Sequence, residues 1–102
     1  MICEHIRLLS VSGKGTCEEL LGQLGNYAID QGLAKAGFTE GLLERERNFP
    51  TGIQARTGIA IPHSEQEYTI TPTLIIALLE NKTEFRPMGG GSMVPVEVVF
   101  LL

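Results

Sequence analysis

The sequence predicts a mixed α/β (α+β) fold: a mixed β-sheet flanked by helices, with helices early in the chain and strands late. Three observations predict it. Helix signatures begin at Thr16 and again near Thr39. From Thr51 onward the chain turns to short apolar runs bounded by Gly and Pro. Two of the runs, Thr73 to Leu79 and Val94 to Leu102, are apolar enough for the interior of a sheet. A length of 102 residues fits one domain spanning 1–102.

Ile6 to Val11 is a short apolar run that predicts a first strand, and Ser12-Gly13-Lys14-Gly15 is the turn after it. Thr16 is a good N-cap, and Glu19, three residues on, completes a capping box. Leu20, Leu21, Leu24, Tyr27 and Ala28 then share a helix face, and Gly32 marks the stop. Gly22 and Gly25 weaken this helix and imply close packing. A second helix starts near Thr39, with Leu42 and Leu43 inward and Glu44 to Arg47 outward. It ends before Pro50, because the residue ahead of proline avoids helical geometry. Thr51 to Ile53 is a short strand or extended turn, and Ile59 to Ile61 a strand that Pro62 terminates. Thr73 to Leu79 is expected as a buried central strand, Phe85 to Met93 as a glycine-rich loop, and Val94 to Leu102 as the last strand. Because that last run ends in Phe100-Leu101-Leu102, a C-terminally truncated domain is expected.

A net charge of −4 argues against nucleic-acid binding and favours a small-molecule site or a basic protein partner. No apolar run approaches the ~20 residues needed to cross a bilayer. The N-terminal MICEHIRLLS lacks a signal-peptide pattern, so a cytoplasmic location is expected. Cys3 and Cys17 form no CxxC and read as reduced thiols, with Cys17 packing in the first helical turn.

Most motif candidates fail on spacing. Gly13-Lys14-Gly15-Thr16 lacks the earlier glycine and the Lys-Ser/Thr step of a phosphate loop, and Glu18 stands where a dinucleotide fingerprint needs glycine. Ser64 adjoins His63, but neighbours on an extended chain point to opposite faces, so no Ser-His triad follows. His5 and His63 are isolated from further ligands, so no metal site is expected. His63 itself stands out in the run Gly58-Ile59-Ala60-Ile61-Pro62-His63. Pro62 fixes the backbone ahead of the ring, and the strand supplies a rigid base. A rigid neutral imidazole with neither metal nor serine is itself a nucleophile, and it suits phosphoryl transfer. Arg45, Arg47 and Arg56 are the candidates for compensating the phosphoryl charge.

Leu43-Glu44-Arg45-Glu46, then Phe49-Pro50-Thr51-Gly52-Ile53, then Gly58-Ile59-Ala60-Ile61-Pro62-His63 resembles the enzyme IIA domain of the fructose–mannitol class (type 2) of the sugar phosphotransferase system. The family pattern runs L-x-R-E, P-T-G-[IL], G-[IV]-A-[IV]-P-H. The Phe49-Pro50-Thr51-Gly52 wording and the Met88-Gly89 loop before Val96 to Leu102 are most similar to its galactitol-type branch.

The resemblance implies that His63 is the phosphohistidine and that Arg45 stabilises the phosphoryl group. It implies HPr as the donor and an enzyme IIB cysteine as the acceptor, with the membrane subunit IIC as an indirect partner. No cofactor and no nucleic acid are implied. Thr51 and Gly52 are expected to shape the pocket, and Glu65 to be solvated. Family members usually continue further, with helices and a second histidine that this sequence lacks; His5 does not match it. An uncovered apolar sheet surface, and hence self-association, is expected from that. Two other functions fit the same residues: a regulatory IIA-like domain of a transcriptional or nitrogen-linked regulator, and an inactive binding module.

Overall fold

The structure is a computed structural model that describes residues 5–102; Cys3 lies outside the described residues. Among the described residues, five strands form one sheet in the order β1-β4-β5-β3-β2. They are β1 (His5–Val11), β2 (Gly52–Gln54), β3 (Gly58–Ala60), β4 (Thr73–Phe85) and β5 (Val94–Leu101). β1 runs parallel to β4, β4 antiparallel to β5, β5 parallel to β3, and β3 antiparallel to β2. Two helices, α1 (Cys17–Asp30) and α2 (Phe38–Asn48), stand between β1 and β2 in the chain.

α1 forms as its sequence dictates. Glu19 N–H donates to Thr16 Oγ1 and Thr16 N–H donates to Glu19 Oε1, both at 3.1 Å, so the capping box satisfies two otherwise orphaned donors. Leu20, Leu21, Leu24 and Ala28 are buried, and Tyr27 packs at their margin. Close packing occurs at Gly25 but not at Gly22. A Cβ at Gly25 would stand 2.6 Å from Thr39 Oγ1, whereas one at Gly22 would meet nothing within 4 Å. The α1–α2 crossing therefore depends on a missing side chain, and Thr39 fixes its own hydroxyl there by donating to Asn26 Oδ1 at 2.9 Å.

The helices lean on one face of the sheet. Leu21, Leu24 and Leu42 meet Ala60, Ile75, Ala77, Phe85, Val96, Val99 and Leu101 in a single core. The opposite face is open. Register aligns Ile6 with Leu74, Leu8 with Ile76, Ile76 with Phe100 and Leu78 with Val98. Ile6, Leu8 and Leu78 on that face are 63%, 66% and 43% exposed.

Two expectations change here. β4 lies in the sheet interior but next to the edge strand β1, and it is covered on one face only; β5 takes the central place. β4 also runs on to Phe85, past the charged stretch Glu80-Asn81-Lys82-Thr83-Glu84. Polar composition hides this half, and the pairing with β5 shifts register between Leu78 and Thr83. Beyond the shift Thr83 and Phe85 point inward again. The irregular segment is held from outside by Asn81, which donates to Gly13 O at 2.9 Å.

Candidate functional site

His63 follows β3 at the end where that strand and its parallel neighbour β5 both finish. Pro62 ahead of it is fully buried, and its carbonyl accepts from Leu102 N–H at 3.3 Å. The backbone is therefore anchored in the core while the half-buried imidazole emerges. His63 Nδ1 lies 3.3 Å from Ile61 O. A carbonyl only accepts, so this contact selects the tautomer with the proton on Nδ1 and the free electron pair on Nε2.

The segment after His63 runs along α2. Ser64 Oγ donates to Phe38 O at 3.1 Å, and Arg45 Nη1 reaches Glu65 Oε1 at 3.4 Å. Phe38 and Arg45 are seven residues apart, two helical turns, so they share a face of α2 and line the same path. Beneath the guanidinium lies the Phe49 ring, with Arg45 Cζ 5.2 Å from its centroid. Arg45 Nε is shielded from solvent and has no hydrogen-bond partner among the described residues. Glu65 is exposed, in keeping with a solvated carboxylate, yet it is also the counter-ion of Arg45.

Glu46 departs from the expected outward direction. It is 7% exposed, and its carboxylate accepts from Thr51 N–H at 2.9 Å and from Thr51 Oγ1 at 2.7 Å. Arg45 and Glu46 are neighbours on a helix, about 100° apart, so one faces the His63 segment while the other turns inward. Burial pushes the Glu46 carboxyl above the usual carboxylate range. The Thr51 hydrogen bonds and the charges of Arg86 and His63 oppose that shift without cancelling it.

Thr51 spends its hydroxyl on Glu46 and is 2% exposed. Gly52 pairs with Ala60, which puts Thr51 and Gly52 at the His63 end of the sheet. Gly52 also exchanges backbone bonds with the β4–β5 loop: its N–H donates to Arg86 O at 3.1 Å and its O accepts from Met88 N–H at 2.8 Å. A Cβ at Gly52 would fall 2.8 Å from Arg86 O, so only glycine permits this approach.

Arg47 is exposed beyond Arg45, and Arg56 is exposed in the β2–β3 turn, at the other end of β3 from His63. Of the three arginines considered, Arg45 alone contacts the segment that carries His63. Arg86 is a participant that composition conceals, since it sits in a glycine-rich loop. Its Nη2 donates to Glu46 O and Arg47 O and so satisfies carbonyls at the end of α2. A cleft of about 470 Å³ lies on that side, between Cys17, Glu46 and Arg86. Burial pushes the Cys17 thiol up to about 12, reinforced by Glu46 and Glu18 and opposed by Arg86, so Cys17 is a packing residue. Among the described residues, no three His, Cys, Asp or Glu converge as metal ligands would. No helix among the described residues is long and apolar enough to cross a membrane.

Galactitol-specific EIIA components of the phosphotransferase system from Escherichia coli K12 and from strain O157:H7 are each 31% identical over 85 residues, or 82% of this chain. The chain spans 57% of the length of those relatives. Its fold resembles a solved complex of enzyme IIA for mannitol with phosphorylated enzyme IIB from Escherichia coli. The TM-score is 0.72 at 18% identity, covering 99% of this chain and 67% of that one. Residues 4–102 match the family described as phosphoenolpyruvate-dependent sugar phosphotransferase system, EIIA 2, and the chain belongs to that family.

Proposed function

We propose that the chain is a phosphoryl carrier of a sugar phosphotransferase system, taking the group from phospho-HPr on His63 and passing it to an enzyme IIB. The observation that carries this is the imidazole on its buried Pro62 base, with Nδ1 turned to Ile61 O and Nε2 left as the nucleophile. In-line attack by the Nε2 electron pair forms the N–P bond as the donor's bond to phosphorus breaks. Arg45, on the α2 face beside this segment, stabilises the transferring charge. Thr51 and Gly52 shape the pocket from behind, through Glu46 and the Arg86 backbone.

The names of the relatives support galactitol as the sugar. The solved complex, as a IIA with a phosphorylated IIB, supports IIB as the acceptor. IIC is then an indirect partner and the cytoplasm the location. The open apolar sheet face supports self-association, which light scattering at high concentration would detect and a strictly monomeric mass would dismiss. The function is tested with phosphoenolpyruvate, enzyme I and HPr. Wild type should acquire one acid-labile phosphoryl group by intact mass, and His63→Ala none. Equal labelling of His63→Ala refutes the assignment.

A further inference from the structure

We propose that Glu65 is a resident anion on Arg45: in the unphosphorylated protein its carboxylate occupies the guanidinium, and it gives way when His63 receives a phosphoryl group. This rests on the carrier reading of His63 and Arg45 above.

Three features of the pair fit a displaceable occupant. The contact is a single one, Arg45 Nη1 to Glu65 Oε1 at 3.4 Å, longer than a charge-assisted bond of full strength. Both side chains reach solvent, at 34% and 54%, where an ion pair adds little. Arg45 Cζ meanwhile lies 5.2 Å from the Phe49 ring centroid, and its shielded Nε donor has no partner among the described residues. The guanidinium is therefore positioned but only partly used. A phosphoryl group carries more charge than a carboxylate and accepts two parallel N–H bonds, which Nε and one Nη can supply. Ser64 Oγ on Phe38 O anchors the chain between His63 and Glu65, so the Glu65 side chain can swing out without moving the imidazole.

The step balances without a further reactant. The Nε2 electron pair forms the new N–P bond, and the pair from the broken bond returns to the donor's nitrogen. Nδ1 keeps its proton at Ile61 O, and Glu65 only releases Arg45. Displacing Glu65 opposes phosphorylation, so the group is held less tightly and passes on more readily. Glu65 is a positioning residue of Arg45 and contacts no reacting atom.

The experiment mixes the chain with a fixed pool of HPr, enzyme I and phosphoenolpyruvate, removes enzyme I, and reads the equilibrium ratio of phosphorylated chain to phospho-HPr. Glu65→Gln should raise that ratio about two- to fivefold, the range an exposed ion pair supports. In an Arg45→Gln background, where no cation is left to contest, Glu65→Gln should leave the ratio unchanged. If Arg45→Gln takes up no label, the comparison in the wild-type background alone decides. Label on His63 with equal ratios for wild type and Glu65→Gln overturns the role of Glu65 alone, as does an equal shift with and without Arg45. Absence of label on wild type removes the carrier reading and this proposal with it.

Discussion

Glu46 is the residue whose removal should most disturb the framework of the site. Glu46→Ala takes away both acceptors of Thr51, the 2.9 Å bond from its N–H and the 2.7 Å bond from its hydroxyl. Hydrogen bonds to a charged group contribute about 1.5–3 kcal/mol each. The buried carboxylate's own desolvation offsets part of that gain. After the substitution the Thr51 N–H, in a residue only 2% exposed, has no acceptor, at a further cost of about 1–3 kcal/mol. With that desolvation cancelling most of the gain from the two bonds, a net loss of about 2–3 kcal/mol remains, or about 10–20 °C in Tm for a domain of this size. Urea unfolding followed by far-UV circular dichroism at neutral pH measures it. Thr51→Val removes only the hydroxyl bond, so the double variant should show a coupling of at least about 1 kcal/mol. A Glu46→Ala protein within about 0.5 kcal/mol of wild type, or zero coupling, would refute the reasoning.

The pH dependence of the same residue has a defined sign. The Glu46 pKa is raised in the fold, so the protein binds its proton more tightly than the unfolded chain does. Its contribution is present below the ordinary value of 4.5 and is lost as pH rises through the higher folded value, so wild type should lose stability there relative to Glu46→Gln; parallel urea midpoints across that window would contradict this. Gly25→Ala should destabilise by about 1–2 kcal/mol, because overpacking against Thr39 outweighs a helix-propensity gain of up to about 1 kcal/mol. Gly22→Ala, in open space, should show the propensity gain alone, and thermal melts giving both variants the same sign would sink the contrast. With its thiol at about 12, Cys17 in a Cys3→Ser background should react with iodoacetamide at mildly alkaline pH at least about 100-fold more slowly folded than in urea. Equal rates would show that the thiol is neither buried nor held protonated.

The local elements were legible because their causes are local. The capping box at Thr16 and Glu19, the leucine face of α1, and the proline at the end of β3 each act within one turn or one strand. The two-part motif around Arg45 and His63 sufficed to indicate the family for the same reason: its words are contiguous. Where contributions came from distant chain, composition misled. Glu80 to Glu84 lies beyond the apolar run expected as strand, yet it is strand, because β5 supplies the ladder and only Thr83 has to point inward among those five.

By itself, then, the sequence determined the two helices, the break that Pro62 makes after β3, and the family, all properties set by neighbouring residues. Only the tertiary structure decided that Glu46 turns inward to hold Thr51, that Arg86 closes α2 from a loop forty residues away, and that Glu65 lies against Arg45. A charged side chain carries no local sign of whether it meets water or a partner. That depends on which donors the fold brings to it, and here those donors come from other elements.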